Sequence, residues 1–251
     1  MAEIRIGIDV GGTGIKGALV DTSTGVLTSE RVRMPTPQPS LPADVVNAVK
    51  QVVIELDLEG PVGLGFPSVV VDGLVSTANN IDQSWIGVNV RDLLSDALGR
   101  KVEVVNDADA AAMAEVTFGA ARGLGGKVLV LTFGTGIGSG LVLDGRLIPN
   151  LELGQVEYEG VRPAELEYSA RGREDRGISW EKWGDDISGY IACMSAVVNP
   201  DLVVLGGGAA KEWDRFAHRI PQHLGVVCAR LLNNAGIVGG ALLVDGYIDG
   251  S

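Results

Sequence analysis

Cysteine and histidine are scarce in this chain of 251 residues, with two of each. Cys193 and Cys228 lie far apart without metal-ligand spacing, which excludes a disulfide framework and reads as two buried thiols in a reducing cytoplasm. His218 and His223 sit in a helix-like stretch and are too few for a histidine-rich metal site. No apolar run approaches the ~18 residues of a membrane span. The start of the chain holds glycine pairs and charge where a signal peptide would have its apolar core, so no membrane partner is expected. Basic residues are outnumbered, 20 against 32 acidic ones. The net charge of −12 argues against a generic nucleic-acid binder, while leaving room for a local basic groove.

Glycine, by contrast, is plentiful at 36 residues, too many for a helical bundle and suited to tight turns between strands and helices. With 46% hydrophobic residues, the chain can bury a large core as one two-lobed unit or two small domains. Residues 5–10 form an apolar run that ends in Asp9 and turns through Gly11, Gly12, Thr13 and Gly14. Residues 15–20 continue as a second strand, so the element reads as a hairpin. A Rossmann fingerprint needs a helix after its glycines and a Walker A loop needs Gly-Lys-Ser/Thr; neither is present. The same pattern returns half a chain later, where the strand 127–132 runs into Gly134, Thr135, Gly136, Ile137 and Gly138 and resumes at 141–143. A repeated strand, glycine turn and strand predicts an α/β protein with two lobes of similar topology.

Between the two hairpins, the apolar strand 101–105 leads to Asn106-Asp107-Ala108-Asp109 and an alanine-rich helix. A carboxylate at a strand end, facing a helix start, is well placed to take a proton from a bound hydroxyl; the competing reading is that Asp107 or Asp109 only caps the helix. Glycine turns let backbone amides approach a ligand closely and form nests for anions. Asp9, at its strand end, suits Mg²⁺ held through water, and Thr13 and Lys16 add a hydroxyl and a cation. Thr135 and Ser139 extend the second turn. Elsewhere we expect a helix over 43–56, a charged helix over 162–176, a long helix over 180–198, a strand into Gly206-Gly207-Gly208, a helix from about Lys211, and a small-residue helix over 237–243 capped by residues 233–236.

Asp9-Val-Gly-Gly-Thr-Gly-Ile-Lys16 resembles the first phosphate motif of the actin and hexokinase superfamily, and Gly134 to Gly140 resembles the second. Leu205-Gly206-Gly207-Gly208 is similar to its nucleotide-side motif, and the helices after Asn106 and Asn233 to its connecting helices. Within that superfamily the chain is most similar to the ROK sugar kinases, in particular their polyphosphate-using glucokinase and glucomannokinase branch. The narrower likeness rests on Thr77 to Gly87, on Ser179-Trp180-Glu181-Lys182-Trp183 and on Asn234 to Gly239.

The resemblance implies a two-lobed, ribonuclease H-like sugar kinase fold with a cleft between lobes. Residues 1–108 would form the N-terminal lobe, with the first phosphate hairpin and the sugar-side loop. Residues 109–251 would form the C-terminal lobe on the donor side, the last helix packing back toward the N-terminal one. It implies phosphorylation of glucose at its 6-hydroxyl from inorganic polyphosphate, ATP or both, with Mg²⁺ and as a homodimer. Asp107 would be the general base, and Asn80, Asn106, Glu152, Gln155 and Glu165 would hold the sugar. Glu165 is preferred over Glu167 by its spacing to Ser179-Trp180. Gln155 departs from the histidine usual in Glu-Leu-Gly-His, which bears on sugar preference. Asp9, Gly11, Gly12, Thr13, Gly14, Lys16, Gly134, Thr135, Gly136, Gly138, Gly206, Gly207 and Gly208 would hold phosphates. A track for polyphosphate would draw on Lys16, Arg122, Lys127, Arg171, Arg173 and Arg176, against which stands the reading of 171–176 as a solvated helix face. The alternatives are a strictly ATP-dependent glucokinase, another ROK hexokinase acting on mannose or fructose, and a non-catalytic actin-like nucleotide switch.

Overall fold

The computed structural model describes residues 3–246. The chain divides into two compact units: everything up to Ala114 together with the stretch from Asn234 onward, and Glu115–Asn233.

Unit one begins with β1 (Ile4–Val10) and β2 (Gly14–Asp21), paired antiparallel with Asp9 opposite Lys16. The short β3 (Val26–Leu27) and β4 (Val32–Pro35) both pair with β2. Helix α1 (Pro42–Leu56) opens on a proline at its first turn and buries Val45, Val46, Val49, Val52, Val53 and Leu56, the face its spacing predicts. After it, β5 (Val62–Phe66) joins β1 in parallel. The hairpin β6 (Val70–Val71) and β7 (Leu74–Val75) and the helix α2 (Val90–Leu98) lead to β8 (Val102–Asn106), parallel to β5. Helix α3 (Asp107–Thr117) starts directly on the end of β8. The unit division falls within α3, between Ala114 and Glu115, and not after residue 108.

Unit two repeats the plan. Strands β9 (Lys127–Phe133) and β10 (Ile137–Leu143) form the second antiparallel hairpin, and β11 (Arg146–Ile148) extends it. Helices α4 (Glu165–Tyr168), α5 (Ala170–Asp175) and α6 (Trp180–Val198) precede β12 (Leu202–Gly206) and β13 (Val226–Cys228), which add in parallel to β9. The sheet orders β2-β1-β5-β8 and β10-β9-β12-β13 match, each an antiparallel hairpin followed by two parallel strands. Phe133, Trp183, Tyr190 and Phe216 are fully buried in this unit, and the Trp183 indole donates to the Tyr168 carbonyl at 2.9 Å, fixing the end of α4.

The last helix, α7 (Ala235–Val244), belongs to unit one and is buried nearly all round. Such a helix needs backbone-close neighbours. A Cβ on Gly7 of β1 would overlap the Ile237 carbonyl, one on Gly63 of β5 the Gly240 carbonyl, and one on Gly239 the Ala110 carbonyl of α3. Small residues on both partners let α7 lie directly on the sheet and on α3.

Several expected elements differ. The charged helix over 162–176 is two short helices, because Ser169 is extended and its hydroxyl accepts from the Gly172 amide at 3.0 Å, starting α5 afresh. The helix expected from about Lys211 is not an α-helix. Residues 208–224 make three 3-10 turns, since Phe216 leaves helical geometry to enter the core and Pro221 is extended. Asn234 does not cap α7 with its side chain, which instead accepts from Arg31 at 3.3 Å. Cys193 is exposed and Cys228 partly so, not buried thiols.

Candidate active site

In unit one the first glycine turn is closed by the Gly11 amide donating to the Gly14 carbonyl at 3.1 Å. Thr36 donates to the Gly11 carbonyl at 2.5 Å and Gln38 to the Gly12 carbonyl at 3.2 Å. The segment 35–42, with prolines at 35, 37, 39 and 42, thus holds the turn from its carbonyl side. Asp9 meets Lys16 at 3.3 Å. A Cβ on Gly236 would come within 2.8 Å of the Asp9 carboxyl carbon, so this carboxylate lies against the first turn of α7, where the helix dipole favours negative charge.

The strand end at Asn106 answers the question of the cap. The Asn106 side-chain oxygen accepts from the amides of Ala108 and Asp109 at 2.9 and 3.2 Å, and its NH₂ group donates to the Ser68 carbonyl at 3.1 Å. Asn106 is therefore the cap, and one of its N–H bonds is left for a ligand. Asp109 is completely buried, whereas Asp107 is half-buried and accepts from the Ala108 amide at 2.8 Å. The exposed Asn80 lies in the loop beside the first turn, 3.8 Å from where a Gly12 Cβ would stand. Trp85, wholly buried against Phe66, and Gln83 bonded to the Ala78 carbonyl at 2.6 Å hold that loop.

Unit two gathers its candidates around the second turn. The Gly134 amide donates to the Gly136 carbonyl at 3.0 Å, and the Gly134 carbonyl accepts from the Arg171 amide at 3.1 Å. Thr135 is exposed at the tip, and Gly138 follows in β10. Gly206 ends β12; Gly207 has φ +77°, and a Cβ there would stand 2.6 Å from the Phe133 amide nitrogen, so only glycine fits where Gly206–Gly208 passes the end of β9. At Gly12 and Gly134 neither reason for glycine applies: φ is not positive at either, and a Cβ on Gly134 would meet nothing within 4 Å. Open space beside Gly134, and no close contact at the matched Gly12, whose nearest neighbour is the Asn80 carbonyl at 3.8 Å, suit a ligand that comes close to the backbone.

Glu165 accepts from the Ile137 amide at 3.0 Å and from the Gln155 side chain at 2.7 Å, while Glu167 faces Arg176 at 3.7 Å. Glu152 is half-buried, and its carboxylate accepts no hydrogen bond among the described residues. Burial, and then the charge of Glu165, push its pKa up to about 7. Ser139 is not a ligand group at the turn tip: it is buried and bridges the Leu151 carbonyl and the Leu153 amide at 2.5 and 2.9 Å, setting the position of Glu152.

The expected basic track is largely engaged elsewhere. Lys127 donates to the Val198 carbonyl at 2.7 Å, Arg171 pairs with Asp175 at 2.9 Å, Arg173 stacks on Trp180 and Arg176 pairs with Asp186 at 3.1 Å. Among the described residues no group of three or more His, Cys, Asp or Glu is disposed to hold a metal, and no helix is long and apolar enough to cross a membrane. A single carboxylate such as Asp9 suits only a hard cation that would keep most of its waters.

Residues 5–152 match the ROK family. Over 237 residues the chain is 42% identical to the polyphosphate glucokinase of Mycobacterium tuberculosis (strain CDC 1551 / Oshkosh), covering 94% of this chain and 89% of that protein. It is 39% identical to the polyphosphate glucokinase of Mycobacterium leprae (strain TN), covering 94% and 73%. The crystal structure of the inorganic polyphosphate/ATP-glucomannokinase from Arthrobacter sp. strain KM is similar with a TM-score of 0.93 and 44% identity, covering 96% of this chain and 98% of that one.

Proposed function

The chain belongs to the ROK family, and from that premise we propose that it transfers a phosphoryl group from inorganic polyphosphate to the 6-hydroxyl of glucose, with ATP as a second donor. The observation that carries the reading is Asp107: a half-buried carboxylate on the first residue of α3, where Asn106 also caps the amides of Ala108 and Asp109. Asp107 accepts the proton of the 6-hydroxyl as that oxygen attacks the terminal phosphorus; the bond from phosphorus to the rest of the donor breaks, and the shortened polyphosphate, or ADP, leaves. A positioned base contributes ~10²–10⁴-fold, so positioning and charge stabilisation supply the remainder.

The two units act as the two lobes of the kinase. On the sugar, Asn80 and the remaining N–H of Asn106 serve from unit one. Glu152, Gln155 and Glu165 serve from unit two, with Glu165 favoured over Glu167 because it shares a hydrogen bond with Gln155. Phosphates are held by Gly11, Gly12, Thr13, Gly14 and Lys16 and by Gly134, Thr135, Gly136, Gly138 and Gly206–Gly208. Asp9 would hold Mg²⁺, which would supply charge neutralisation for the transferring phosphates. The working state is a homodimer in the cytoplasm.

The test is glucose 6-phosphate formation by the purified protein with Mg²⁺, comparing polyphosphate with ATP at matched phosphate. Product from polyphosphate is the expected result. Product from ATP alone moves the chain to the ordinary glucokinases, and product from neither, with glucose or mannose, overturns the kinase reading.

A further inference from the structure

Beside the first glycine turn, cations line up across the face of the unit-one sheet that α7 covers. Lys16 of β2 stands opposite Asp9 on one side and opposite Arg33 of β4 on the other, so the three side chains share a face. Arg33 leans toward the turn: a Cβ on Gly14 would stand 2.9 Å from its Nε. Arg31 lies on the same side, since its guanidinium donates to the Asn234 side chain at the start of α7 at 3.3 Å. With about 5 Å between strands and about 3.3 Å per residue along β4, Lys16, Arg33 and Arg31 form a row roughly 10 Å long leading away from the turn.

Charge balance does not predict this row. In a chain with 32 carboxylates and 20 basic residues, Arg5, Arg91, Arg100, Arg171, Arg173, Arg176, Arg215 and Arg219 all pair with Asp or Glu. Arg122, Arg146, Arg162 and Arg230, like Arg31 and Arg33, meet no carboxylate among the described residues, but Arg31 and Arg33 are exposed and two residues apart on one face beside the glycine turn. Like charges kept side by side without a counter-ion repel, which marks a place for an anion.

We propose that Arg33 and Arg31, continuing from Lys16, bind the phosphates of a linear polyphosphate chain beyond those held at the glycine turn. The proposal rests on polyphosphate being the donor. A nucleoside triphosphate carries its charge on three phosphates and then becomes a neutral nucleoside, so it has no use for cations further out; an extended polyanion does.

The double variant Arg31→Gln/Arg33→Gln tests it through two readouts, direct binding of long-chain inorganic polyphosphate by titration calorimetry and steady-state kinetics with polyphosphate and with ATP. The expected result is a KM and Kd for polyphosphate raised by about tenfold or more, a log–log salt slope of binding shallower by about 1.4, and KM for ATP and glucose within about twofold of wild type. Arg31→Lys/Arg33→Lys should restore most of the binding, which a structural effect of the glutamines would not allow. Unchanged polyphosphate binding in the glutamine variant, equal losses with both donors, or no polyphosphate binding by the wild type overturns the proposal. Wild-type binding without turnover from polyphosphate overturns the donor reading instead and leaves the row to stand or fall on the calorimetry.

Discussion

Asp107 and Asp109 are two residues apart and chemically identical, yet the fold gives them different work. Asp109 is sealed in the interior, and Asp107 stays half-exposed with its carboxylate on the Ala108 amide at 2.8 Å. Asparagine at 107 keeps an oxygen for that amide and removes only the basicity. Asp107→Asn should therefore lower kcat by ~10²–10⁴-fold while glucose binding, read by calorimetry, changes little. A variant retaining most of its rate would remove Asp107 from the role of base. Glu152 carries a second residue-scale consequence. Its pKa is about 7 in the folded chain and 4.5 in a free side chain, so the fold favours its protonated form. That contribution to stability is complete below about pH 4.5 and is lost as pH rises through 7. Glu152→Gln should match the wild type in thermal stability near pH 4.5 and exceed it at pH 8. Sugar hydroxyls donate to the ionised form, so glucose KM of the wild type should fall between pH 6 and 8 and stay flat in the variant.

At the scale of elements, α7 depends on glycine at three contacts, Gly7 and Gly63 on the sheet and Gly239 on the helix itself. Gly63→Ala would drive a methyl group into the Gly240 carbonyl, and backbone has nowhere to give. The expected loss is at the upper end of overpacking, about 3 kcal/mol, read as a fall in the denaturant midpoint at unchanged slope. Alanine at Gly134, with nothing within 4 Å, should leave stability alone and weaken the donor. The two hairpins were readable from residue order because glycine runs between apolar strands have few other meanings, and α1 because six apolar side chains fall on one face. The position of candidate site residues was readable where they lie at or next to a strand end, as at Asp9 and Asn106. It was not where two short segments meet: nothing in the order of residues brings Gln155, in a 3-10 turn, to Glu165, on a one-turn helix, or turns Ser139 inward to hold residues 151 and 153. Strand β4 was hidden by the prolines at 35, 37, 39 and 42, although Arg31-Val32-Arg33-Met34 alternates with the period of a strand.

For the molecule as a whole, a net charge of −12 should repel a polyanionic donor, while the row from Lys16 to Arg31 should attract it. The two effects respond to salt with opposite sign, which decides between them. The general field of scattered carboxylates acts over distance and is already screened beyond ~10 Å at 0.1 M ionic strength. Contacts between cations and phosphates are local, and each releases counter-ions, giving a dependence of about 0.7 in log–log slope per contact on a single chain. Three contacts yield a slope of about 2, so KM for long-chain polyphosphate should rise about 16-fold between 50 and 200 mM monovalent salt. A KM that falls over this range would mean that the acidic field governs the approach of the donor and that the row on β2 and β4 does not hold it.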